Sequence, residues 1–90
     1  MRLALLATTR FEKDLKRVRK QGKNLDKLES VVDLLQAQQP LPLSCHAHCS
    51  RGTRADHWDC HIEPDWLLLY RVTEASLILV RTGSHVELFE

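Results

Sequence analysis

The spacing of apolar positions changes near the start of the chain. A short apolar run from Arg2 to Ala7 is typical of a buried first strand. After it, apolar residues recur at helical spacing, which predicts an amphipathic helix. Its apolar stripe consists of Phe11, Leu15 and Val18. Thr9 followed by Glu12 fits a capping box that starts this helix, and Gly22 is expected to end it.

A second helix follows after a very short turn. Asn24 is a favourable N-cap, and the next apolar positions again fall on one side of a helix. This second stripe consists of Leu25, Leu28, Val32 and Leu35. The helix is expected to stop before Pro40 and Pro42. The two helices therefore form an antiparallel hairpin with one apolar and one polar face.

The second half of the chain changes from helical to strand periodicity. Residues 43–57 are polar and show no clear period, which indicates a loop with a short strand at one end. The apolar segments beyond it predict strands at 58–62, 66–72 and 77–81, and a helical turn at 85–89. Tight turns are expected at Pro64–Asp65, 73–76 and 82–84. The nearly continuous apolar strand at 77–81 is expected in the interior of the sheet.

This order of elements predicts an α+β fold. An N-terminal strand and a helical hairpin would pack on one face of a small, mainly antiparallel sheet. Ninety residues suit one compact domain, so residues 1–90 are treated as a single domain. No apolar run approaches the ~18–20 residues that span a bilayer, and the run at 3–7 is too short for a signal peptide. We therefore expect a cytosolic protein.

Charge is distributed unevenly along the chain. The net charge is +1 at pH 7, but residues 1–39 carry nine Lys or Arg against five acids. Residues 40–90 carry four Arg against seven acids, so the first part is +4 and the remainder −3. A basic hairpin suits a polyanionic partner, although a solvated helix face accounts for the same pattern.

All five histidines lie between residues 46 and 85, interleaved with carboxylates. Histidine has an ordinary pKa near neutrality, so this region contains groups suited to acid/base catalysis. A ribonuclease needs a base for the ribose 2′-OH, an acid for the leaving 5′-oxygen and a cation for the phosphate. Trp66 and Phe89 could stack on an RNA base. The structural alternative places both aromatics in or against the core and makes Asp65 a turn residue.

Cysteine and histidine together raise the question of a metal site. Three cysteines, an odd number, do not fit a disulfide scaffold, and reduced thiols are expected in the cytosol. The candidate ligands include no C-x-x-C pair and match no common zinc spacing. They are Cys45, His46, His48, Cys49, Cys60 and His61. We therefore expect neither a metal nor another cofactor.

Several motifs resemble one known family of bacterial toxins. They are Phe11-Glu-Lys-Asp-Leu-Lys16, Pro40-Leu-Pro42, His48 before Gly52, Cys60-His-Ile-Glu-Pro-Asp-Trp-Leu-Leu-Leu-Tyr70 and Arg81-Thr-Gly-Ser-His-Val-Glu-Leu-Phe89. Nearly the whole chain resembles YafQ-type toxins of the RelE/ParE superfamily, the toxic halves of type II toxin–antitoxin pairs. The resemblance implies a RelE-like fold. It also implies a ribosome-dependent mRNA endonuclease that works without a metal, through attack by the 2′-OH.

The resemblance assigns roles to individual residues. The acid/base cluster of the family is matched by His48, His61, Asp65 and His85. The expected substrate-binding positions are Asp59 and Phe89 for the mRNA, Trp66 beside Asp65, and Arg81 for the scissile phosphate. The basic residues expected to face ribosomal RNA are Lys13, Lys16, Arg17 and Lys20. The expected partners are the ribosome with its mRNA and a DinJ-like, DNA-binding antitoxin, with no membrane partner.

Within that cluster, His48 or Asp65 is the preferred base and His85 the preferred acid. The product would carry a 2′,3′-cyclic or 3′-phosphate and a 5′-hydroxyl. The chain departs from the family pattern in the segment before His61, which bears on the loop conformation and the codon preference. These departures are Ser50, Arg54, Asp56 and Trp58. Two alternatives keep the fold without the chemistry: a ParE-type inhibitor of DNA gyrase, and a degenerate toxin that only binds its antitoxin.

Overall fold

A computed structural model describes residues 2–39, 48–49 and 58–89. Its elements in chain order are β1 (Ala4–Ala7), α1 (Thr9–Lys20), α2 (Leu25–Gln36), β2 (His48–Cys49), β3 (Trp58–Glu63), β4 (Trp66–Val72), β5 (Ser76–Gly83) and α3 (His85–Phe89). This is the predicted α+β fold, with the helical hairpin ahead of the antiparallel strands. Most of the predicted loop at 43–57 lies outside the described residues.

The sheet has five strands in the order β1-β5-β4-β3-β2. β1 runs parallel to β5, and every other neighbouring pair is antiparallel. The sheet is therefore mainly antiparallel, as predicted. β5 has a neighbour on each side, which confirms that the apolar segment at 77–81 is an interior strand.

The core lies between the helical hairpin and one face of the sheet. α1 contributes Phe11 and Val18, α2 contributes Leu28, and β4 contributes Trp66 and Leu68. Leu67 and Leu69 alternate with these β4 residues, so they lie on the other face of the sheet, and they too are buried. β4 is therefore covered on both faces for most of its length, as expected for the central strand.

The prediction of a buried first strand is wrong. All four residues of β1 are exposed, with Leu5 at 47% and Leu6 at 51%. The buried residue of this segment is Leu3, which precedes the strand. The reason is topological, because β1 is an edge strand with β5 as its neighbour. An apolar run in the sequence cannot distinguish an edge strand from a central one.

Two predicted boundaries also need correction. The N-cap of α1 is Thr8 and not Thr9, because Thr8 Oγ1 accepts a hydrogen bond from the Phe11 amide at 3.0 Å. β5 continues through Thr82 and Gly83, where the sequence predicts a turn. Other predictions are confirmed: Asn24 caps α2 through the Asp26 amide at 3.0 Å. Gly22 follows α1 with a φ of 79°, which glycine adopts readily.

The described part of the chain contains no helix that is both long and apolar enough to cross a membrane.

Candidate functional site

The sheet places two distant segments of the sequence beside each other. β4 and β5 are antiparallel, and Leu67 near the start of β4 pairs with Gly83 at the end of β5. The Pro64–Asp65 turn precedes β4, and α3 follows β5. Asp65 and His85 therefore meet at one end of the sheet, although 20 positions separate them in the sequence.

Asp65 holds His85 through two contacts. Asp65 Oδ1 accepts a hydrogen bond from the His85 backbone N–H at 3.2 Å, and the same oxygen lies 2.8 Å from His85 Nδ1. The bond from the His85 side chain lowers the pKa of Asp65, followed in importance by the bond from the His85 amide. The carboxylate is thus ionised near neutrality and can only accept hydrogen bonds. Nδ1 therefore carries a proton, which makes Nε2 the nitrogen that can exchange protons with a substrate.

His61 completes a cluster with these two residues. It lies on β3 and is half-buried, and its ring centroid is 5.5 Å from that of His85, with a tilt of 44° between the rings. Three of the four predicted acid/base residues are therefore close together. The fourth, His48, belongs to β2, where it pairs with Asp59, two positions before His61 on β3. His48 therefore lies on the strand next to the one that carries His61.

A cavity of about 370 Å³ adjoins this cluster. Its lining residues are Gln21, Lys23, Glu63, Pro64, Asp65, Ser84 and Glu87. Lys23 is the cation in this group. The bond from His85 is the main cause of the lowered pKa of Asp65, and the bond from Lys27 is the main cause of the lowered pKa of Glu63; the Lys23 charge adds a smaller contribution to both. The Lys23 Nζ also lies 5.7 Å from the centroid of the Trp66 ring, within range of a cation–π contact. Sequence reasoning missed Lys23, because it sits in the short turn between α1 and α2 with no motif around it.

The predicted RNA contact of Trp66 is wrong, and the core alternative is confirmed. The side chain is 0% exposed, so no RNA base can stack on it. Its indole Nε1 donates a hydrogen bond to Thr82 Oγ1 at 2.9 Å, and that hydroxyl donates in turn to the Leu67 carbonyl at 2.8 Å. Trp66 is therefore a core residue, and its ring contacts Lys23 from the inner side.

Arg81 is engaged in an internal ion pair, which argues against the predicted contact with the scissile phosphate. Its Nε and Nη2 donate to the two carboxylate oxygens of Asp14 at 2.6 and 3.2 Å. Its side chain is only 12% exposed. Burial alone would raise the pKa of Asp14, but the bonds from Arg81 and from the Thr82 amide outweigh it, so the pKa is lowered. The same bond raises the pKa of Arg81.

The predicted RNA-facing surface on α1 is exposed at three of its four positions. Lys13, Lys16 and Lys20 are exposed. Arg17 is half-buried, because Nη1 contacts Asp14 at 2.8 Å and Nη2 donates to the Thr82 carbonyl at 3.0 Å. The prediction for Arg17 therefore needs correction, since its guanidinium is directed into the protein rather than towards solvent.

The remaining predicted substrate positions are Asp59 and Phe89. Asp59 is 8% exposed, which leaves little surface for direct contact with mRNA. A supporting role beside His61 on the same strand suits it better. Phe89 is the last residue of α3, four positions after His85, and its contact with mRNA stays a prediction. Trp58, one of the departures from the family pattern, begins β3 and is exposed.

The described residues do not fit a metal ion. Within the ranges 2–39, 48–49 and 58–89, no three His, Cys, Asp or Glu side chains are grouped so that they could hold one. Cys60 is fully buried in the core. Of the other candidate ligands, Cys45 and His46 lie outside the described residues.

Comparison with known proteins gives a consistent result. The family model for YafQ, a bacterial toxin of type II toxin–antitoxin systems, matches residues 3–90. The mRNA interferase toxin YafQ of Escherichia coli strain K12 is 38% identical over 80 residues, which is 88% of this chain and 87% of that protein.

Solved structures agree with the family match. The toxin in the crystal structure of the E. coli DinJ–YafQ toxin–antitoxin complex has a TM-score of 0.92 and 33% identity, with 100% of both chains covered. A metal-bound toxin from Helicobacter pylori has a TM-score of 0.92 and 42% identity, and the match covers 97% of this chain and 99% of that one. Both matches extend over the strands and helices that carry the candidate site.

Proposed function

This chain belongs to the YafQ family of toxins from type II toxin–antitoxin systems, and we propose that it cleaves mRNA on the ribosome by acid/base chemistry. The observation that supports this most directly is the cluster of Asp65, His85 and His61 beside Lys23. It provides two imidazoles, an orienting carboxylate and a cation, which are the parts that RNA cleavage needs.

The chemical step divides two proton transfers between the histidines. A base removes the proton from the ribose 2′-OH, and the 2′-oxygen forms a bond to phosphorus. The bond from phosphorus to the 5′-oxygen breaks, and an acid protonates that oxygen. The products are a 2′,3′-cyclic phosphate and a 5′-hydroxyl. We assign the acid to His85, whose Nδ1 is held by Asp65, and the base to His61, whose ring lies 5.5 Å away.

Asp65 orients His85 in this scheme and does not act as the base. The hydrogen bond from His85 lowers its pKa, which makes the carboxylate a weaker proton acceptor than an ordinary Asp. We assign to Lys23, and not to Arg81, the role of the cation that stabilises negative charge on the phosphate. It lines the cavity beside Asp65, whereas Arg81 is bound to Asp14.

The same proposal covers partners and location. The exposed lysines of α1, Lys13, Lys16 and Lys20, would face ribosomal RNA. A DinJ-like antitoxin is the expected protein partner, because the YafQ of E. coli was crystallised with DinJ. Residues 1–90 would act as one toxin domain in the cytoplasm, where the ribosomes are.

Primer extension on a defined mRNA tests the proposal. Purified protein is incubated with translating ribosomes, and His85→Ala and a reaction without ribosomes are run in parallel. We expect cuts at one position of the reading frame that require both the ribosome and His85. If mRNA stays uncut at stoichiometric protein, the proposed function is wrong. Growth arrest in cells without any cut would then favour a gyrase-type target.

A further inference from the structure

His85 lies on the shortest helix of the described chain. α3 comprises only His85–Phe89, and a helix of this length is not stable without external contacts. The orientation of the His85 ring therefore depends on whatever fixes the start of α3.

A reciprocal capping box fixes the first turn of α3. The Ser84 amide donates to Glu87 Oε1 at 2.8 Å, and the Glu87 amide donates to Ser84 Oγ at 3.2 Å. This arrangement satisfies two backbone donors that the helix itself leaves without partners. The bond from the Ser84 amide is the main cause of the lowered pKa of Glu87. Glu87 thereby sets the direction in which α3 leaves the sheet.

The second carboxylate oxygen of Glu87 connects α3 to α1. Oε2 accepts a hydrogen bond from Gln21 Nε2 at 3.1 Å, and it lies 2.8 Å from Arg17 Nε. The Arg17 Nε–H is not aligned with Oε2, so that contact is an ion pair and not a hydrogen bond. Arg17 is itself fixed by Asp14 and by the Thr82 carbonyl. Through Arg17, Glu87 is therefore connected to both α1 and the end of β5.

The backbone at the start of α3 passes very close to this pair. A Cβ atom at Gly83 would lie 2.6 Å from Arg17 Nη2 and 2.9 Å from Glu87 Oε1, both far inside van der Waals contact. Glycine at this position lets Arg17 and Glu87 sit directly against the end of β5. The backbone at Gly83, two residues before His85, therefore packs directly against both Arg17 and Glu87.

We propose that Glu87, held by Arg17, is a positioning residue for His85. By fixing the start of α3, it directs the His85 amide and Nδ1 onto Asp65 and leaves Nε2 directed at the substrate. Glu87 itself contacts no reacting atom. This inference rests on the proposed ribonuclease function for its catalytic consequence, but its structural part is independent of that function.

Two substitutions at Glu87 separate the capping box from the ion pair. Glu87→Ala removes both, whereas Glu87→Gln keeps an oxygen for the Ser84 amide and loses the charge that attracts Arg17. Asp33→Asn is the matched control, because it removes an exposed ion pair with Arg2 that has no connection to α3. Each variant is assayed for mRNA cleavage at saturating ribosome complex, and the carboxyl pKa of Asp65 is measured by NMR.

We expect Glu87→Ala to lower the maximal cleavage rate roughly 10- to 100-fold, because small displacements of a catalytic group have effects of this size. The concentration of ribosome complex at half-maximal rate should stay unchanged. The Asp65 pKa should rise towards its ordinary value, since the bond from His85 is lost. Glu87→Gln should retain more activity than Glu87→Ala, and Asp33→Asn should match the wild type in every measurement.

The Asp65 titration distinguishes the failure of this inference from the failure of the proposed function. If wild-type protein cuts no mRNA but Glu87→Ala still raises the Asp65 pKa, the ribonuclease proposal fails and the positioning role stands. If the Asp65 pKa is the same in Glu87→Ala and wild type, the positioning role is overturned, whatever happens to cleavage.

Discussion

At the residue scale, the proposed chemistry depends on the groups that orient His85. Asp65 supplies two of its contacts, and Lys23 is the cation in the cavity that borders Asp65. The cavity also contains Glu63 and Glu87, which bind Lys27 and Arg17. An arrangement with one half-buried cation, Lys23, and one orienting carboxylate, Asp65, predicts distinct effects for changes at each residue.

Removing His85 should change Asp65 in a measurable way. The bond from the His85 ring is the largest cause of the lowered pKa of Asp65. In His85→Ala we therefore expect the Asp65 pKa to rise towards its ordinary value of 3.8, as measured by the NMR shift of its carboxyl carbon against pH. Asp33 in the same spectra serves as an internal reference, because it is exposed and paired with Arg2, which does not line the cavity. An unchanged Asp65 titration would show that the two residues are not bonded in solution.

Lys23 should affect the chemical step. Lys23→Gln removes the cation of the cavity, and we expect the maximal cleavage rate to fall roughly tenfold or more, because fixed positive charge near the phosphate stabilises the transition state. Lys27→Gln is the matched control, since Lys27 is a lysine close by in the chain that is already paired with Glu63 at 2.9 Å. Equal rates for both variants would exclude Lys23 from this role and leave the phosphate without an assigned cation.

The sequence predicts some residues of this site and not others, and the difference has physical reasons. His61, Asp65 and His85 were found through a motif. Trp66 was ambiguous because a strand pattern does not reveal what covers each face of the strand, and here both faces of β4 are buried. Lys23 and the Asp14–Arg81 pair were not predictable from spacing. Lys23 and Asp65 are far apart in the sequence and line one cavity only in the folded protein. Asp14 and Arg81 are likewise 67 positions apart.

At the scale of elements, α1 completes the hydrogen bonding of β5. β1 pairs with β5 only from Ser76 to Leu79. Beyond that point, side chains from the start and middle of α1 bind the same strand: Thr8 Oγ1 donates to the Val80 carbonyl at 2.8 Å, and Asp14 accepts from the Thr82 amide at 3.3 Å. β5 extends past the predicted turn because Thr82 and Gly83 also pair with Leu68 and Leu67 of β4, and the local sequence shows neither set of partners.

Asp14 should be the residue on which this junction depends. Asp14→Ala leaves the mostly buried Arg81 without its counter-ion, and we expect a loss of about 3 kcal/mol in the free energy of unfolding, as measured by urea denaturation. Arg2 and Asp33 form an exposed pair, so Asp33→Ala should cost less than about 1 kcal/mol. Similar losses for the two variants would mean that the Asp14 network does not stabilise the fold.

The same residue gives stability a defined pH dependence. The pKa of Asp14 is lowered in the folded protein relative to its ordinary value of 3.8. A lowered folded-state pKa adds stability that is complete above the unfolded-state value and is lost as pH falls through the folded-state value. Wild-type stability should therefore decline below about pH 4 more steeply than that of Asp14→Asn. Parallel curves for the two proteins would argue against the lowered pKa.

At the scale of the whole molecule, the two parts of the chain contribute different charged groups. Residues 1–39, with a net charge of +4, contribute the exposed lysines of α1 and Lys23 of the cavity, and residues 40–90, with −3, contribute the histidines and Asp65 of the site. The fold class followed from the order of elements, because helix and strand periodicities are local properties. The exposure of β1 did not, because it depends on where each strand lies in the sheet.

The charge on α1 predicts how binding to the ribosome depends on salt. Each cation that contacts an RNA phosphate releases counterions, so ribosome affinity should fall as salt increases. If Lys13, Lys16 and Lys20 each contact a phosphate, replacing all three with Gln should reduce the slope of log affinity against log salt by about 2. Arg2→Gln is the control, because Arg2 is exposed but paired with Asp33, and it should leave the slope unchanged. A slope unaltered by the triple substitution would place the ribosome on another surface. The positive charge of the hairpin would then need an explanation other than contact with ribosomal RNA.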